Sequence, residues 1–126
     1  MKKVINTPNA PKAVGPYSQA IEVNQILYIS GQVPLDPDTM MLVSGGIEEQ
    51  TRQVMKNIGA ILEAAGYSFN DVVKSTCLLA NINDFQAMNK VYAEFYPGNP
   101  PARAAFAVKD LPLGALIEIE TVAVKG

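Results

Sequence analysis

The sequence predicts an α+β fold in which two helices cover one face of a β-sheet and leave the other face bare. Three observations point to it. Two stretches repeat apolar side chains at helical spacing, four shorter runs read as strands between turn residues, and their order is strand, helix, strand, helix, strand, strand. Hydrophobic residues make up 48% of the chain and charged ones 17%, enough apolar surface for an ordered core, so residues 1–126 are expected to form one domain.

The first strand centres on Ile26-Leu27-Tyr28-Ile29 and is closed by the Gly, Pro and Asp residues between Gly31 and Asp38. Residues 47–65 then read as a helix. Ile47, Val54, Ile58, Ile61, Leu62 and Ala65 line one face, Glu48 and Glu49 sit in the first turn where the helix dipole favours anions, and Gly66 supplies a stop. Residues 71–80 are apolar on both faces, as an interior strand is, and make Cys77 a buried small hydrophobe. Asn83, with Gln86 as capping partner, opens a second helix whose stripe of Phe85, Met88, Tyr92, Phe95 and Tyr96 is core packing, ended by Pro97-Gly98. Residues 102–108 and 115–124 read as a hairpin that turns within the Leu-Pro-Leu-Gly segment before Ala115.

In the last strand Ile117, Ile119, Thr121 and Ala123 suit the helix layer. Leu116, Glu118, Glu120, Val122 and Val124 form the other face, too apolar for open solvent and too charged for a monomer core. An oligomer packed through the sheet is the expectation.

Composition removes whole classes of chemistry. There is no histidine and a single cysteine, which excludes histidine general bases, Cys-His nucleophile pairs and nearly every side-chain zinc or iron site. Carboxylate, Arg, Lys, Tyr and Ser remain. Cys77 has no partner for an intramolecular disulfide, so a reducing cytoplasm is expected. No export signal follows Met1-Lys2-Lys3, because Asn6, Pro8, Asn9 and Pro11 interrupt any apolar stretch, and no run approaches bilayer length. Ten Lys and Arg against twelve Asp and Glu, scattered along the chain, offer no stripe for a phosphate backbone, so nucleic acid is not expected as the primary partner.

The register of the expected hairpin places Arg103 close to Glu120, with the small Ala105 beside Arg103 leaving a hollow. Two readings fit: a cross-strand ion pair at a subunit boundary, or an arginine that binds a ligand carboxylate. Gly15-Pro16-Tyr17-Ser18-Gln19-Ala20 and Ser30-Gly31-Gln32-Val33-Pro34 read as turns with locally bonded serines and a packed tyrosine ring; neither has the glycine spacing of a nucleotide loop.

These two segments, with Asn-Asp-Phe at 83–85, Pro-Ala-Arg at 101–103 and Ile-Glu-Ile-Glu at 117–120, resemble the RidA (YjgF) family of reactive-intermediate deaminases over essentially the whole chain. The resemblance implies a chorismate-mutase-like α+β fold with a mixed sheet, a homotrimer, and an active site in each of three clefts between subunits. It also implies hydrolysis of 2-iminobutanoate and 2-iminopropanoate to 2-oxo acids and ammonia, with no metal or organic cofactor. Carried over, Arg103 would grip the substrate carboxylate and Glu120 would activate water. Tyr17, Ser30, Gly31 and Asn89 would line the cleft, together with the backbone of Ala105. Many relatives carry cysteine where this chain has Ala105, so no thiol acts at that position here. Two other functions compete: a non-catalytic trimer that binds a small carboxylate metabolite or a regulatory protein, and an endoribonuclease, which the missing histidine and basic patch disfavour.

Overall fold

The computed structural model, which describes residues 1–126, has six strands and two α-helices. In chain order they are β1 (Lys3–Ile5), β2 (Ala20–Val23), β3 (Ile26–Gln32), α1 (Ile47–Ala64), β4 (Val72–Leu79), α2 (Phe85–Glu94), β5 (Ala102–Ala107) and β6 (Ile117–Val124). One mixed sheet joins all the strands in the order β1-β2-β3-β6-β4-β5, every pair antiparallel except β4 with β5. The crossovers β3-α1-β4 and β4-α2-β5 each link parallel strands and step the same way along the sheet. Because such crossovers share one hand, both helices land on one face.

The core lies between that face and the helices. Val54, Met55, Ile58, Ile61 and Leu62 of α1 are buried against Leu27, Cys77, Leu79, Ile117 and Ile119. Ile117, Ile119, Thr121 and Ala123 are buried as their alternation predicts. On the opposite face Tyr28 and Phe106 remain about half exposed, with Val124 and Glu120 also open.

Helix α1 starts with the Gly46 backbone N–H donating to the Glu49 carboxylate at 2.7 Å, which holds the Glu49 pKa below the usual range. It ends at Gly66, where φ of +81° permits the Tyr67 N–H to reach the Leu62 carbonyl at 2.8 Å. Two polar residues buried on α1 do positional work. Asn57 donates to the Leu35 carbonyl at 2.9 Å, and the Gln50 amide oxygen accepts from the Leu116 N–H at 2.8 Å. One helix thereby pins both the loop after β3 and the entry to β6.

The structure corrects four expectations. Residues 102–108 and 115–124 are not a hairpin: β5 lies at the sheet edge beside β4, and β6 fills the gap between β3 and β4. The physical reason is burial, since the centre of the sheet covers the whole apolar row of β6, while the alanines of β5 tolerate an edge. Arg103 therefore does not face Glu120. Ser75 of β4 stands between Arg103 and Thr121 in one row, and Thr76 between Ala104 and Glu120 in the next, which puts Arg103 and Glu120 on opposite faces. The cap of the second helical segment is Asn81, whose side chain accepts from the Asn83 N–H at 2.9 Å and opens a 3-10 turn over Ile82–Asp84 before α2 begins. Finally, β1 and β2 precede the first strand read from the sequence. Three and four residues are too few to show a period, and the β2–β3 turn uses Asn24 and Gln25, with φ of 51° and 63°, where glycine would have announced it.

Candidate active site

The first cluster surrounds a cavity of about 580 Å³ between the N-terminal loop, β3 and β6. The loop owes its shape to one buried amide. The Gln19 side chain accepts from the Thr7 N–H at 2.7 Å and donates to the carbonyls of Thr7, Ala10 and Pro11. Next to it, the Ser30 hydroxyl donates to the Ser18 carbonyl at 2.6 Å, as the locally bonded reading expects, leaving its lone pairs free to accept. Tyr17 departs from that reading: the residue is 50% exposed on the cavity wall.

Gly31 sits where β3 bulges between Ile29 and Gln32. A Cβ at this position would overlap the Glu118 carboxylate and stand 2.9 Å from its Cδ. Glycine is what lets that carboxylate lie against the backbone. Burial raises the pKa of Glu118, and the negative charge of Glu120 raises it further. Gly31→Ala is expected to push Glu118 toward solvent, read as a fall of its pKa toward the ordinary carboxylate range in a carboxyl-carbon NMR titration.

The second cluster is centred on Arg103. Its guanidinium donates to the Asn89 amide oxygen at 2.8 Å and lies 5.0 Å from the ring centroid of Tyr92 and 5.5 Å from that of Phe85. No carboxylate pairs with it, since the ion pairs of the chain are Arg52–Glu94 and Lys90–Glu48. Arg103 and Asn89 border a groove of about 410 Å³ together with Tyr96, Pro100 and Pro101. Ala105 is on the same edge strand and pairs with Cys77. Burial pushes the Cys77 thiol up to about 11, which leaves it an inert core group.

Of the residues singled out in the sequence, Tyr17, Ser30, Gly31 and Glu120 are thus brought together around the cavity. Arg103 and Asn89 meet each other at the groove. The two groups do not meet within one chain. Sequence reasoning did not single out Glu118, although Ile-Glu-Ile-Glu puts two carboxylates on one face; Glu118 is the one that lies against Gly31. It also treated Phe85 and Tyr92 purely as core, whereas both face the guanidinium. No cluster of three or more His, Cys, Asp or Glu side chains is arranged to hold a metal ion.

With this geometry in hand, the likeness to known proteins is direct. A RutC family protein of Pyrococcus horikoshii is 58% identical over 99% of each chain. The Mus musculus 2-iminobutanoate/2-iminopropanoate deaminase is 53% identical over 100% of this chain and 93% of its own. A crystal structure of a Rid family protein from Yersinia pestis covers 99% of this chain and 100% of its own, with 52% identity and a TM-score of 0.97. The architecture is therefore the chorismate-mutase-like α+β fold of Rid proteins. Matched from residue 7 to residue 125 by the family described as Endoribonuclease L-PSP, the chain belongs to that family, also called RidA or YjgF.

Proposed function

We propose that this chain, folded as one domain, hydrolyses 2-imino acids such as 2-iminobutanoate and 2-iminopropanoate to 2-oxo acids and ammonia. One observation carries the reading: Arg103 is a cation without a carboxylate and Glu118 a half-buried carboxylate without a cation. Full-length similarity to the mouse deaminase supports it. The substrate supplies what each lacks, a carboxylate for the guanidinium and, next to it, an electrophilic imine carbon.

The two clusters lie apart in a protomer, and Arg103 stands on an edge strand. The site is completed when the Arg103–Asn89 groove of one subunit meets the cavity of the next, in a homotrimer that covers the bare sheet face carrying Tyr28 and Phe106. Arg103 then binds the carboxylate by two parallel hydrogen bonds and fixes the imine carbon for attack. Water, held by Glu118, loses a proton to that carboxylate as its oxygen bonds to C2. The C=N electron pair moves to nitrogen, which takes a proton from Glu118. Glu118 next relays the new hydroxyl's proton to nitrogen, the C–N bond breaks, and ammonia leaves as the C2=O bond forms. Glu118 takes the base role expected of Glu120, because Glu118 abuts Gly31 and is the more buried of the two. Glu120 is exposed beside it and acts through its charge. Tyr17 and Ser30 wall the cleft, and the backbone of Ala105 borders it. No cofactor takes part in these steps. No helix is long and apolar enough to cross a membrane, and the lone Cys77 fits a reducing cytoplasm.

The test is ammonia release from freshly generated 2-iminobutanoate. Arg103→Ala and Glu118→Gln homotrimers should each be nearly inactive, whereas trimers co-refolded from an equal mixture should regain activity. With random assembly in a closed ring, about one quarter of clefts combine an intact Arg103 with an intact Glu118. Verified mixed trimers that recover nothing would show that each cleft is built within one chain.

A further inference from the structure

We propose that the rings of Tyr92 and Phe85 are positioning groups for Arg103, fixing the plane of its guanidinium without neutralising its charge. This rests on Arg103 being the carboxylate-binding group.

An arginine on an edge strand has a long, rotatable stem, and a two-pronged grip on a carboxylate requires its terminal plane to be set beforehand. A partner Asp or Glu would set that plane and at the same time cancel the charge. This chain uses a different device. Phe85, Asn89 and Tyr92 recur at four- and three-residue spacing along α2 and so form one stripe on its surface. All three reach the same guanidinium, the rings at 5.5 and 5.0 Å and the amide oxygen at 2.8 Å. Ring faces attract a cation through their quadrupole and the amide oxygen accepts a neutral hydrogen bond, so the full positive charge remains for a ligand.

A second layer packs against the Tyr92 ring. Its hydroxyl is buried and faces Ser75 and Tyr96, whose hydroxyls are buried as well. Ser75 is the direct neighbour of Arg103 in the β4–β5 register. Ring and guanidinium both lie beside the Ser75 row of the sheet. Tyr96 in turn packs at 4.9 Å from Tyr92 and edge-on to Phe69 at 5.6 Å. Burial raises the pKa of both phenols, which keeps them neutral and adds no anion to compete with the ligand. The aromatic stripe of α2 is therefore partly core and partly equipment of the site.

The experiment compares wild type, Phe85→Leu, Tyr92→Leu, Tyr92→Phe and Arg103→Ala, each checked for folding by thermal unfolding. Calorimetry gives the Kd for 2-oxobutanoate, and ammonia release gives KM and kcat for 2-iminobutanoate. Both Leu variants should raise Kd and KM by about 3- to 30-fold, the span of a lost cation–π contact, and lower kcat by less than Arg103→Lys does, because the guanidinium fork and the Glu118 half are both retained. Tyr92→Phe keeps the ring face and should restore Kd to within about twofold of wild type. Folded Leu variants with wild-type Kd and KM, beside an Arg103→Ala protein that no longer binds, would overturn the positioning role and leave the site reading standing. If Tyr92→Leu fails to fold, Phe85→Leu decides alone, a raised Kd supporting the role and an unchanged one overturning it. Arg103→Ala binding 2-oxobutanoate as wild type does would instead overturn the site reading, and the positioning role with it.

Discussion

Arg103→Lys is expected to lower kcat/KM for 2-iminobutanoate by about 100-fold while the oligomeric state and the unfolding temperature persist. The lysine keeps the charge and loses the planar fork, so at least one charge-assisted hydrogen bond to the carboxylate disappears, a loss of about 1.5–3 kcal/mol, and the imine carbon is no longer held for attack. Asn89 would lose its 2.8 Å donor as well, but the groove is open to water and the orphaned amide can be resolvated. Steady-state kinetics beside size-exclusion chromatography check both halves of the statement. A Lys variant with wild-type turnover would show that carboxylate orientation is not a source of rate.

The second large effect separates the two glutamates of β6. Glu118→Gln should lower kcat by about 10²- to 10⁴-fold, the usual contribution of a placed general base, yet still bind 2-oxobutanoate. Glu120→Gln should leave kcat within about threefold, since that carboxylate only presents charge to its neighbour. The pH profile adds a sign. Burial, and then the charge of Glu120, hold the Glu118 pKa above the ordinary carboxylate range, so activity rises with pH through that raised value as the base form appears. Removing the Glu120 charge lowers the Glu118 pKa and moves the acid limb to lower pH. The same shift bears on stability. A carboxyl whose folded pKa is raised contributes stability below its unfolded pKa and loses it as pH rises through the folded value, so Glu118→Gln should unfold at higher temperature than wild type near neutral pH. The reverse pattern, with Glu120→Gln the inactive variant, would return the base role to Glu120.

The long periods were legible in the sequence. The stripe of α1, the alternation of β6 and the interior character of β4 each follow from residues that bury one face. Pairing was not legible, because Ala-Arg-Ala-Ala-Phe-Ala followed by a Leu-Pro-Leu-Gly turn suits a hairpin locally, and only competition for the sheet centre sends β6 past β4. The error propagated into the site, since register is what placed Arg103 against Glu120. Glu118 stayed hidden for a related reason. Whether a carboxylate in an alternating pair is half-buried depends on what faces it from the next strand, here the missing Cβ of Gly31. The motifs pointed to the neighbourhood of the candidate site, and the three-dimensional register is what distinguishes its half-buried Glu118 from its exposed Glu120.

The central place of β6 also governs when the molecule can come into being. Strands β1 to β3 form one sheet fragment and β4 with β5 another, and nothing but β6 hydrogen-bonds the two together. A nascent chain that has already emitted both helices therefore carries two unzipped edges, those of β3 and β4, until residues 117–124 emerge. Such edges are templates for pairing with other chains. The order of synthesis thus makes the last strand the keystone, and it makes the interval before its arrival the period in which this chain most needs protection from aggregation.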